Sequence, residues 1–373
     1  MPRRALLLAA LALLGACATQ KRAREPLHRP AEVRARIVRL LPAVTADREG
    51  WATDIQAAFA ALRIEPTEQN LCATLAVAGQ ESTYTADPAV PGLAKIARAE
   101  IDRRAKRHHV PELLVRGALM IESPNGKRYG DRIASVRTEK DLSRIYEDLI
   151  GTVPLGQLLF GDSNPVRTGG PMQVSVGFAE QYARDHPYPY PVDGSIRHEV
   201  FSRRGGIYFG IAHLLGYPAS YDQPLYRFAD FNAGWYASRN AAFQKAVRLA
   251  SGIPLSLDGD LIRHGSGRDG SKVGATELAV RSLGSRLDLS DRQIRRALEQ
   301  GESLDFEETS LYRRTFALAE RIERRPLPRA IVPHIALKSP KISRKLTTEW
   351  FAVRVDRRYR SCMAKTPGHV RGN

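Results

Sequence analysis

The chain is poor in cysteine and in acidic residues, and past its first residues it has no long apolar run. Only Cys17, Cys72 and Cys362 occur in 373 residues. That is too few for a disulfide-built scaffold, and without paired C-x-x-C motifs they make no thiolate zinc site. Beyond residue 16 no stretch reaches the length of about 18 uninterrupted apolar residues that a membrane-spanning helix needs. A G-x-S-x-G elbow, an H-E-x-x-H pair and a Gly-Lys-Ser/Thr phosphate loop are all missing, which leaves no support for a serine-hydrolase, zinc-protease or nucleotide-binding reading. His108 and His109 are adjacent, so on a helix they point in different directions and make poor joint ligands. No cofactor and no metal is implied. There is no internal repeat and no low-complexity tract.

Fifty-seven Lys and Arg face 40 Asp and Glu, a formal net charge of +17 that falls to +15 without Arg3 and Arg4. Such an excess suits nucleic acid, an anionic membrane surface or an acidic polymer such as the cell wall. Much of it sits in "KRAREPLHRPAEVRARIVR" (21–39) and "DRRAKRHH" (102–109), runs that read as solvated helix faces or tethers.

The N-terminus narrows the choice. "MPRRALLLAALALLGAC" has a basic start and an apolar run from Ala5 to Leu14, the pattern of a secretory signal over residues 1–16. Gly15 and Ala16 before Cys17 resemble the lipobox of bacterial lipoproteins, which implies a lipid anchor on Cys17; a plain signal peptide with an incidental cysteine is the alternative. Ala18 in the next position implies, by the same resemblance, the periplasmic face of the outer membrane. Export makes nucleic acid the least apt partner. An oxidising compartment permits Cys72 and Cys362 to pair, while the plainer reading makes one a buried helix thiol and the other a tail residue.

The polar, Pro-containing residues after Cys17 read as a tether reaching to about residue 45. From there the pattern is helical, as in Ile55, Ala58, Phe59 and Leu62, in Leu142, Ile145, Tyr146 and Leu149, and in Tyr312, Phe316, Ala319 and Ile322. Ser290 reads as an N-cap before Ile294, Ala297 and Leu298. No strand-like alternation stands out, so the fold class is all-α. The loop "HGSGRDGSKVG" (264–274) separates a main domain, 46–255, from a helical C-terminal region, 275–373, with a basic tail. Within that tail "LTTEWFAVRVDRRY" (346–359) is apolar enough to pack back on the domain.

One carboxylate is in an awkward place. In "NLCATLAVAGQESTY" a helix over 69–81 puts Glu81 on a face with Val77 and Ala78. Apolar surroundings disfavour the charged form, which is how a glutamic acid stays protonated near neutral pH and serves as a general acid. Alone, the pattern also fits a solvated helix-terminal glutamate.

Three stretches occur in order: "QES" at 80–82, "GGPMQVS" at 169–175 and "FADFNAGWY" at 228–236. Together they resemble the motifs of the lytic transglycosylase branch of the lysozyme-like superfamily. "LCATLAVAGQESTYTADPAVPGLAKIA" also resembles the N-terminal region of a group of uncharacterised bacterial lipoproteins with a lysozyme-like domain. The resemblance implies a lysozyme-like helical domain that cleaves the MurNAc–GlcNAc bond of peptidoglycan. Glu81 would be the acid/base, protonating the glycosidic oxygen and then taking a proton from the MurNAc C6 hydroxyl to close a 1,6-anhydro ring. Ser82 would bond that glutamate or the substrate, Met172 and Gln173 would line the sugar cleft, and Asn232, Ala233 and Gly234 would form the opposite wall. Read without the resemblance, Met172 is a core residue at a helix entry and "NAG" a helix C-cap.

The chain departs from the family in two ways. Phe231 stands where the family has a tyrosine whose hydroxyl holds the catalytic glutamate, and Tyr236 is the substitute at hand. Residues 82–172 separate Glu81 from Gln173, so about 93–165 form a helical insertion. That insertion carries a rival, Glu122, which also ends an apolar stretch and precedes a serine. Tyr188 and Tyr190 read as loop packing or sugar-stacking rings, and Tyr208 and Phe209 as core. A different class of function is a non-catalytic peptidoglycan-binding lipoprotein, and a third is adsorption to anionic lipid through the basic surface.

Overall fold

The computed structural model describes residues 29–160, 164–263, 273–337 and 346–366. The signal, Cys17, the tether up to residue 28, most of the 264–274 loop and the extreme basic tail lie outside the described residues. Among the described residues no helix is long and apolar enough to cross a membrane.

The first helix, α1 (Pro30–Leu40), corrects the tether reading. Its Val33, Ile37 and Leu40 are spaced to share one face, and that face is buried against α2 (Arg48–Leu62), which offers Trp51, Ile55 and Phe59. The arginines of the basic run are its outer side. Next, α3 (Glu68–Glu81) starts on Thr67, whose side chain accepts the Asn70 N–H. Every residue from Leu71 to Gly79 is buried, on all faces. A helix apolar all round belongs in the middle of a bundle.

The insertion is a helical layer: α4 (Leu93–Arg107), α5 (Glu112–Met120), α6 (Tyr129–Ser135), α7 (Glu139–Thr152) and α8 (Pro154–Phe160). It packs through Ile101, Val115, Leu119, Ile133 and Leu149. The hairpin β1 (Thr168–Gly169) and β2 (Val174–Ser175) follows, paired Thr168 to Ser175 and Gly169 to Val174. Then come α9 (Val176–Asp185), α10 (Ile196–Val200), α11 (Arg203–Leu215) and α12 (Pro224–Ala233). Tyr208 and Phe209 of α11 are core, and Tyr188 packs flat on Phe209 while its hydroxyl donates to Glu199, so it is a packing residue.

The domain boundary falls earlier than the loop suggests, and the tail splits. A second apolar cluster, from Ala242 to Leu327, gathers α13 (Ala237–Ser251), α14 (Ala275–Arg281), α15 (Gly284–Leu287), α16 (Asp291–Leu298), a 3-10 turn (Leu304–Glu308) and α17 (Ser310–Glu323). Ser290 caps α16 in a reciprocal box with Gln293. After a short pair, β3 (Ala336–Leu337) with β4 (Leu346–Thr347), the chain returns to the first cluster as α18 (Thr348–Met363). Cys362 of α18 is disulfide-bonded to Cys72 of α3. The structure is therefore all-α apart from these two short pairs.

Candidate functional site

Glu81 is the last residue of α3 and is half-buried, directly above the fully buried Val77 and Ala78. Thr83 and Tyr84 follow in left-handed backbone, φ 52° and 59°, and turn the chain back on itself. Two such non-glycine residues in a row are held only by what surrounds them. Here the holder is Tyr84, whose hydroxyl donates to the Leu75 carbonyl at 3.0 Å and whose ring meets Trp51 edge-on. Burial raises that hydroxyl's pKa. Ser82 is buried and its hydroxyl donates to the Ala78 carbonyl at 3.0 Å, closing the helix.

The segment after this turn is tied to α7. Ala89 bridges Thr138, and the Val90 N–H donates to Arg137 O at 2.9 Å. Within it Asp87 has its carboxyl pushed up, first by burial and also by Asp141, against the pull of the Thr138 hydroxyl, Lys140 and Arg144. Glu139, the first residue of α7, is buried and accepts from Gln173 Nε2 at 2.9 Å. Gln173 itself sits between β1 and β2 with φ 51°. The motif glutamine thus faces a buried carboxylate that local pattern gave no reason to single out. The residue before it, Met172, is fully buried beneath α11, where a Cβ on Gly210 would lie 2.4 Å from its Sδ. Met172 is core, which corrects the cleft-lining expectation.

Glu139 also lines a cavity of about 850 Å³ between α4, α7 and residues 165–168. Leu93, Ala97, Leu142 and Val166 supply apolar wall, and Lys95, Arg103 and Arg167 are exposed lining cations. The carboxylate that holds Gln173 thus also lines this cavity.

The third motif is positioned by α18. Cys362 meets Cys72 near the start of α3, while Arg354 and Arg358 donate to Gln80 Oε1 near its end, so the two helices are antiparallel. Tyr359 meets Phe228 and Phe351 meets Phe231, so α12 is antiparallel to α18 as well. It follows that α3 and α12 are parallel and finish at the same end of the bundle. Thr348 lies roughly 9 Å further along α18 than Arg354, at 1.5 Å rise per residue. There its hydroxyl donates to Asn232 Oδ1 at 2.9 Å. Asn232 accordingly lies beyond the end of α3 that carries Glu81, roughly 9 Å further along α18 than the Arg354 contact with Gln80.

Two expectations at this wall fail. Phe231 is buried and lies parallel to Phe351, centroids 6.5 Å apart, so it lines no cleft. Tyr236 cannot stand in for the family's tyrosine, because it is buried and its hydroxyl donates to Pro218 O at 2.7 Å. Gly234 is the C-cap of α12 with φ 109°, a backbone only glycine adopts readily. The rival Glu122 is exposed, outside α5, and bridges Arg128 across a turn built on Ser123 and Asn125. Among the described residues no group of three or more His, Cys, Asp or Glu is arranged to hold a metal.

Residues 44–365 match the family described as "Protein of unknown function (DUF1615)". The chain belongs to the DUF1615 family. It is 56% identical over 365 residues to "Uncharacterized protein YaiW" of Escherichia coli (strain K12), covering 97% of this chain and 98% of that one. No solved structure matches it. Neither match names a lysozyme-like family or an activity for this DUF1615 chain.

Proposed function

We propose that this DUF1615 protein is a lipid-anchored protein on the periplasmic face of the outer membrane that binds peptidoglycan glycan strands and cleaves the MurNAc–GlcNAc bond, on a lysozyme-like helical core. The observation that supports the reading is that α3 and α12, each packed on α18, finish at the same end of the bundle, one carrying Glu81 and the other Asn232. Glu81 donates a proton to the glycosidic oxygen as the C1–O bond breaks. It then takes the C6 hydroxyl proton as that oxygen closes on C1, so the enzyme ends as it began and a 1,6-anhydro product leaves. Val77 and Ala78 lie beneath Glu81, and the exposed Asn232 offers an amide to the sugar.

A second reading, a non-catalytic glycan-binding scaffold, is favoured by Phe231: the hydroxyl that would steer the glutamate is gone, and Phe351 covers the ring in its place. Digestion of purified sacculi with mass spectrometry separates the two. Wild type should release 1,6-anhydromuropeptides, and Glu81→Gln should lower the yield by about 100-fold or more, the size of a lost general acid. Sacculi retained without any product would establish the scaffold; a reducing-end product would move the chemistry to hydrolysis, with Glu139 or Asp87 as second carboxylate.

A further inference from the structure

The insertion carries an exposed apolar surface that the glycan reading does not use. Leu113, Leu114, Met120 and Ile121 are 78%, 57%, 57% and 42% exposed. At 100° per residue Leu113, Leu114 and Met120 share one side of α5, and Val115 and Leu119, which pack inward, occupy the opposite side. Gly117 lies in the middle of the outer side and leaves it flat. With Ile121 just past its end, the outer side of α5 presents four large apolar side chains, and such exposed patches mark an interaction surface.

The border of the patch says what kind. Lys106, Arg107, His108 and His109 precede α5, and Lys127 and Arg128 follow Ile121, all exposed. Of the two nearby carboxylates, Glu112 is spent on Arg116 at 2.6 Å along the edge of the helix, and Glu122 remains exposed within the bridged turn beside Arg128. An apolar face framed by cations is the pattern of a helix lying in the headgroup layer, with its apolar side among the acyl chains and its cations on anionic lipid. We infer that α5 docks on an anionic bilayer surface. This second contact fixes which way the molecule faces on its membrane, and it does not depend on any chemistry at Glu81.

Hydrogen-exchange mass spectrometry on the full chain tests this with vesicles of phosphatidylethanolamine and phosphatidylglycerol, and with phosphatidylcholine vesicles as the uncharged control. On the anionic vesicles the amides of 111–122 should exchange about tenfold more slowly, as a segment losing access to local opening does. On phosphatidylcholine, or in high salt, the effect should largely vanish. Leu113→Asp with Leu114→Asp should abolish the protection while leaving the thermal midpoint unchanged, and Lys106→Glu with Arg107→Glu should weaken it. The inference is overturned by unaltered exchange at 111–122 on anionic vesicles. It is equally overturned by protection that grows with protein concentration when no lipid is present, since the patch would then join two copies of the chain.

Discussion

His213 is the residue whose environment departs most plainly from water. Its Nδ1 is buried and finds no partner among the described residues, its Nε2–H donates to the Phe231 carbonyl at 3.2 Å, and its ring packs on Phe178 and Trp235. Loss of hydration lowers its pKa to about 4. The unfolded chain takes this proton near 6.5 and the folded chain only near 4, so the stability from a neutral His213 is complete above about pH 6.5 and is lost as pH falls toward 4. The difference amounts to about 3 kcal/mol. Urea unfolding from pH 7 to pH 4 on wild type and His213→Gln checks this: the gap in stability should change by about that amount, and parallel curves would count against it. Because His213 supports the Phe231 carbonyl, acid should also loosen the end of α12 that holds Asn232.

At the scale of elements, α18 decides the arrangement of the site. It is pinned to α3 by the Cys72–Cys362 bridge, 290 residues apart in sequence, and to α12 through Phe351 and Thr348. A bridge closing so long a loop restricts the unfolded chain by about 5 kcal/mol in the entropic account. Cys72→Ala with Cys362→Ala should therefore lower stability by about 3–5 kcal/mol in chemical denaturation. It should also raise exchange along α18 before α2 or α11 responds; uniform loss across all helices would mean the bridge does not hold α18 in particular. Part of this closure was legible, since 346–359 was apolar enough to pack back and Cys72 with Cys362 stood as an open pairing, but which helices α18 joins was not. The periodicity that reveals α2, α7 and α17, and the N-cap at Ser290, is local and was legible. So was α3, one residue longer than its pattern suggests. What was hidden depends on partners distant in sequence. The arginines of 21–39 masked the buried Val33, Ile37 and Leu40, the burial of Met172 and Tyr236 is set by α11 and Pro218, and Glu139 is picked out only by Gln173. Glu81 was visible because its own preceding turns are apolar.

Over the whole molecule the chain makes two cores, one from Val33 to Phe231 completed by α18 and one from Ala242 to Leu327. A buried polar contact lies within the second. Arg239, 1% exposed, donates to Gly301 O at 2.5 Å and Ser303 O at 2.7 Å, with Tyr236 and Phe306 against its guanidinium. Burial lowers its pKa, yet every direction around it offers an acceptor or a ring face. Removing this group strips the Ser303 carbonyl of its donor and leaves Gly301 O with Asn240 Nδ2 alone, while the first core keeps all its contacts. Arg239→Met should thus cost about 3–5 kcal/mol, the usual loss when one side of a buried charged contact is deleted, and the cost should fall on the second core. Calorimetry should then resolve two transitions, with the lower one belonging to α13–α17. Limited proteolysis at the lower transition should cut within 237–327 and leave the disulfide-closed fragments joined. A single transition, merely shifted, would mean instead that the two cores fold as one unit and that Arg239 serves both.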